Sequence, residues 1–61
     1  MKYNQLFAEL TAAGCSVLRH GTNHDMWFSP LTGNRFPLPR HGGQEVPKGM
    51  ERNARKVLLG E

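Results

Sequence analysis

A single cysteine, Cys15, in a chain of 61 residues removes the cross-link on which disulfide-stapled small folds depend. The structure must come from a hydrophobic core instead, and 38% hydrophobic residues allow one small core. Residues 1–61 therefore read as one domain, with no room for a multidomain enzyme or a large enclosed cavity. Any chemistry must sit on a surface. A chain of this size buries only about 60% of the surface its unfolded form exposes, so its stability is expected to be modest and a bound partner would add to it. Cys15 itself is expected as a small buried residue.

No stretch approaches the roughly 18 to 20 apolar residues of a membrane span, and the first ten residues carry polar side chains throughout, unlike a secretory leader. The expected compartment is the cytoplasm, with no membrane partner. Eight Lys and Arg against five Asp and Glu leave a net charge of +3. That balance favours an anionic partner such as RNA, although many small domains carry as much charge for other reasons.

Leu6, Phe7, Leu10 and Ala13 recur at helical spacing with Lys2, Asn4, Gln5, Glu9 and Thr11 opposite, and Gly14 supplies a stop, so a helix is predicted over residues 3–13. Residues 15–20 are too short for a helix and end in the turn-forming Gly21-Thr22-Asn23, which marks a first strand. Residues 24–28 form a second strand that stops at Ser29-Pro30-Leu31-Thr32-Gly33-Asn34, a hairpin loop. Residues 35–38 return as a short or edge strand, because Pro37 cannot donate to the ladder. The glycines and prolines of residues 39–49 indicate a loop, after which Met50, Ala54, Val57 and Leu58 share a helix face, Glu51 and Arg55 can pair, and Gly60 closes the helix. The order α-β-β-β-α implies an α+β two-layer sandwich with a three-stranded antiparallel sheet.

His20, His24 and His41 are the candidates for proton transfer, since imidazole is the side chain that ionises near neutrality. His24 directly follows the Gly21-Thr22-Asn23 turn, which would hold it while leaving it open to a large substrate; an ordinary exposed loop histidine is the competing reading. Cys15, His20, His24 and His41 could in principle supply zinc ligands, but a Gly-containing turn separates His20 from His24, and strict alternation sends Cys15 and His20 to opposite faces. No phosphate loop, paired-Cys motif or Gly-x-Ser-x-Gly elbow is present, and no cofactor is implied.

Alternation places Phe28 and Met26 with His24, and Trp27 with Asp25 on the other face. Two of Trp27, Phe28 and Phe36 are expected in the core, against a minority reading in which an exposed one stacks on a base. Arg35, Arg40 and Lys48 lie near the third strand and the start of the last helix, where backbone amides would add a preference for phosphate.

Taken with the α-β-β-β-α order, the strings Gly21-Thr22-Asn23-His24 and Leu38-Pro39-Arg40-His41 make the chain resemble the HicA family of toxin ribonucleases along nearly its whole length. The family's Gly-Ser/Thr-x-His motif is matched at residues 21–24 and its downstream Pro-x-His at Pro39-Arg40-His41. The departures are Gly49-Met50-Glu51, which lacks the family's threonine at the opening of the last helix, and Asn53 and Ala54, which weaken the apolar stripe there.

The resemblance implies a fold like that of double-stranded-RNA-binding domains and an mRNA endoribonuclease that needs no metal. His24 would be its catalytic acid or base, Gly21, Thr22 and Asn23 the turn presenting it, and His41 an auxiliary residue. Thr22, Asn23, Arg40, His41 and Lys48 would contact RNA. The implied protein partner is a HicB-type antitoxin that covers the His24 face in a hetero-oligomer. A non-catalytic RNA-binding module of the same fold, and an interaction domain whose basic face is incidental, remain as alternatives.

Overall fold

The computed structural model describes residues 1–61 and has the predicted order: α1 (Tyr3–Ala12), β1 (Ser16–His20), β2 (His24–Phe28), β3 (Arg35–Pro39) and α2 (Lys48–Leu59). The strands form one antiparallel sheet in the order β1-β2-β3. No helix is long and apolar enough to cross a membrane.

The end of α1 is set by Gly14, which takes a φ of 96°. Its N–H donates to the Thr11 carbonyl at 3.0 Å, and the N–H of Cys15 donates to the Leu10 carbonyl at 2.9 Å. This is the paired closure that a left-handed glycine permits at a helix C-terminus, with Leu10 and Cys15 both buried beneath it. Cys15 is thus spent on the cap, and β1 begins one residue later than the sequence suggests. Its thiol lies 3.9 Å from the Leu58 carbonyl, inside the core.

The start of α1 has no conventional cap, since Lys2 stands at the N-cap. Two free helical N–H groups are satisfied from far along the chain. Asn4 donates to the Gly42 carbonyl and Tyr3 to the Gln44 carbonyl, each at 3.0 Å. A bridge between Lys2 and Glu45 continues the contact. The loop between β3 and α2 therefore closes α1, which leaves that helix end unavailable to an external anion.

A bulge interrupts β1. Val17 pairs with Trp27 and Arg19 with Met26, leaving Leu18 as the extra residue, 52% exposed. Because the bulge breaks the period of two, Val17 and Arg19 lie on opposite faces although they are two residues apart. It also overturns the alternation argument that set Cys15 and His20 apart: after the bulge both fall on the parity of Trp27, and they differ because Cys15 is buried among the helices while His20 stands at the exposed rim.

The third strand runs one residue beyond its predicted end, through Pro39. Pro37 and Pro39 share one parity, so neither is asked for a hydrogen bond to β2, and β3 is an edge strand as the prolines demand. The turn before it is pinned to α2 by the Thr32 hydroxyl, which donates to the Val57 carbonyl at 2.6 Å.

Both helices cover one face of the sheet. The core joins Tyr3, Leu6 and Leu10 of α1 with Trp27 and Leu38 of the sheet, Ala54 and Leu58 of α2, and Cys15 and Val46 between elements. Phe7 stacks on Trp27 with ring centroids 5.4 Å apart. Phe36, opposite Trp27 in the register, packs against this core, whereas Phe28 lies outside it. Ala54 is fully buried, so the small residue is a fitted member of the α2 face and not a weakness in it; Asn53 is exposed.

Across the helix layer Arg55 gathers three carboxylates: Glu9 at 2.7 Å, Glu51 at 3.1 Å and Glu61 at 3.5 Å. These partners, Glu9 foremost, raise the guanidinium's affinity for its proton.

Candidate functional site at the β1–β2 turn

Four residues separate His20 from its cross-strand partner Asp25, and Gly21 closes the turn by donating its N–H to the His24 carbonyl at 2.7 Å. A Cβ at position 21 would come within 2.7 Å of that same oxygen, so the turn requires glycine for close approach.

Asp25 organises the groups around this turn. It lies opposite His20 in β1 and opposite Leu38 in β3, and its side chain is only 13% exposed. One of its oxygens, Oδ1, meets both His20 Nδ1 at 2.9 Å and Arg40 Nε at 2.8 Å. Arg40, just beyond β3, also donates through Nη2 to the carbonyl of Gly21. A single guanidinium thus ties the end of the third strand to the turn between the first two, and Asp25 holds it there. The bonds are charge-assisted, the stronger class of hydrogen bond.

His24 is left free. Its side chain is exposed and forms no hydrogen bond or ion pair. It lines a depression of about 200 Å³ together with Arg19, Gly21, Asp25, Met26 and Pro37. Thr22 and Asn23 are exposed in the turn, so the structure brings them, His24 and Arg40 to one end of the sheet.

The other predicted residues stand apart. His41 is exposed and contributes its carbonyl to the following turn, accepting the Gln44 N–H at 3.0 Å. Lys48 opens α2, exposed, and does not line the depression. Arg40 does not stand as a free phosphate ligand, because two of its nitrogens are already committed within the protein.

Reasoning from the sequence missed Arg19, Met26 and Pro37 as members of the site and gave Asp25 no role. Counting back from the turn would have found Arg19, since a partner of Met26 must share the face of His24. The Asp25 cluster depends on Arg40 crossing two strands, which no local pattern announces. No three of the histidine, cysteine and carboxylate side chains converge as a metal site would require.

Comparison with protein-family models, curated proteins and solved structures finds no match.

Proposed function

We propose that the protein is a HicA-type toxin, an endoribonuclease that cuts mRNA with His24 as its proton-transfer residue. The observation that carries this reading is the unpartnered His24 imidazole, on a turn braced by Gly21, Asp25 and Arg40 and beside an open depression. A side chain that had merely become part of the packing would be covered or hydrogen-bonded. This one is held by its backbone and left accessible, which suits a group that acts on a large external substrate.

In the reaction, the ribose 2′-oxygen attacks the adjacent phosphorus as its proton passes to the neutral imidazole. The bond from phosphorus to the 5′-oxygen breaks, that oxygen takes a proton, and the products are a 2′,3′-cyclic phosphate and a 5′-hydroxyl. Each positioned proton transfer contributes about 10² to 10⁴-fold. Water serves the half that His24 does not. Arg19, which lines the depression and has no carboxylate partner, supplies positive charge for the phosphorane.

A HicB-type antitoxin would cover the same face. The support is that the helices leave this side of the sheet bare, with Met26 and Phe28 only half-buried and Leu18 exposed.

The test is incubation of partner-free protein with single-stranded RNA in excess chelator, comparing wild type with His24→Ala. Cleavage that leaves cyclic phosphate ends and disappears in the variant is the expected result. A folded wild-type protein that binds RNA without cutting it would instead make the chain an RNA-binding module.

A further inference from the structure

The sheet register sets Arg19, Met26 and Pro37 in a single row across all three strands, on the side away from the helices. His24 and its partner Pro39 form the next row on the same face, two residues along β2, or roughly 6.5 Å away. The geometry points to a subsite here for one unpaired nucleotide of RNA, its base lying on Met26 and Pro37 and its phosphate drawn by Arg19, beside the bond on which His24 acts. The inference rests on the RNA reading above and specifies what the site binds.

The chemistry of the row supports this occupant. Met26 offers a polarisable thioether that adapts to a ring face, and Pro37 a rigid apolar ring. Arg19 brings a planar guanidinium that both attracts phosphate and stacks on aromatic rings. Asp25 is the one carboxylate lining the depression, and its charge is already compensated by Arg40. What remains is an apolar step flanked by a free cation, the complement of a flat ring carrying an anionic tether.

Size and exposure narrow the class. About 200 Å³ lies below the roughly 300 to 1,000 Å³ of a pocket that encloses a whole small molecule, and suits one ring system with its phosphate outside. A duplex keeps its base faces stacked against one another, so only an unpaired nucleotide can present a face to the row. The row contains no side chain other than Arg19 that can donate a hydrogen bond to a base edge. Recognition should therefore depend on the presence of a base more than on its identity.

The test uses a short RNA in which 2′-deoxy residues block cleavage, with affinity measured by fluorescence anisotropy at fixed salt. The oligonucleotide is offered single-stranded, paired to its complement, and with one abasic residue placed at each position in turn. The expected result is that pairing, or one particular abasic residue, weakens wild-type binding about ten-fold. Arg19→Ala and Met26→Ala should lower single-strand affinity by a similar factor, and Met26→Ala should no longer respond to the abasic residue. Both side chains face away from the core, and circular dichroism with thermal melting confirms that each variant is folded.

Equal affinity for single strand and duplex, or variants that match wild type, would overturn the subsite. If the parallel assay shows cutting dependent on His24, the nuclease reading survives that outcome. Binding that depends on Arg19 and Met26 without any cutting removes the nuclease reading and keeps the subsite. A wild-type protein that binds neither form of RNA overturns the inference and leaves this face to a protein partner.

Discussion

Asp25 and Arg40 meet at 2.8 Å across the end of the sheet, and through this pair the last residues before the long loop are coupled to the turn that carries His24. The carboxylate is the more buried of the two, at 13% exposure against 46% for the guanidinium. A double-mutant cycle with Asp25→Ala and Arg40→Ala, followed by urea unfolding, should give a coupling of about 1 kcal/mol. Additive losses would mean that the two side chains act independently. Asp25→Asn keeps the shape and removes the charge, and under the nuclease reading it should lower kcat more than it raises KM.

Gly21→Ala should be harmful out of proportion to its size. The new methyl group meets the backbone oxygen of His24, which cannot move without opening the turn. A loss of about 1 to 3 kcal/mol is expected in denaturant unfolding, together with at least a ten-fold fall in any activity that needs His24. Unchanged stability would show that the turn tolerates a Cβ.

Ala54→Leu tests whether the small residue in α2 is fitted to its place. Ala54 has no exposed surface, and a larger side chain must displace core neighbours. Overpacking should cost about 1 to 3 kcal/mol, seen as a lowered urea midpoint. A gain in stability would show that the position was underfilled.

Arg55→Met should lower the melting temperature by roughly 4 to 8 °C, the shift that a loss of about 1 kcal/mol produces in a domain of this size. The loss should shrink in high salt, because the three carboxylates it pairs with are partly exposed. A loss that ignores salt would point to the packing of the Arg55 stem.

Glu45 makes stability depend on pH. The Met1 ammonium, 3.1 Å away, and the Lys2 ammonium, 3.5 Å away, hold its carboxyl below the usual carboxylate range. A carboxyl depressed by folding stabilises the folded state above its unfolded pKa, near 4.3, and that contribution is lost as the pH falls through the lower folded value. Melting curves from about pH 6 down to about pH 3 should therefore decline less steeply for Glu45→Gln than for wild type. Parallel declines would exclude Glu45 as a contributor.

Much of the architecture was legible because each element carries its own local signal. Gly14 and Gly60, both at positive φ, end the two helices; Gly21-Thr22-Asn23 and the Ser29–Asn34 segment turn the chain; and Pro37 pushes its strand to an edge. His24 could be singled out for the same reason, as the residue after a tight turn. The hidden parts are those made by residues distant in sequence. The bulge at Leu18 reversed the faces assigned by alternation, and the role of Asp25 appears only when Arg40 arrives from β3. The capping of α1 by Gly42 and Gln44 was equally invisible, because nothing in residues 1–12 names its partners.

That last arrangement bears on how the chain is made. A ten-residue helix is too short to hold itself in water, so α1 needs both its borrowed cap and its apolar contacts. The cap comes from residues 42 and 44, and the Ala54 and Leu58 side chains that complete the core come later still. As the nascent chain leaves the ribosome, α1 therefore waits longest among these elements for the residues that hold it. Formation of α1 must follow synthesis of the chain through Leu58, whereas the turn that carries His24 has its brace as soon as Arg40 is made.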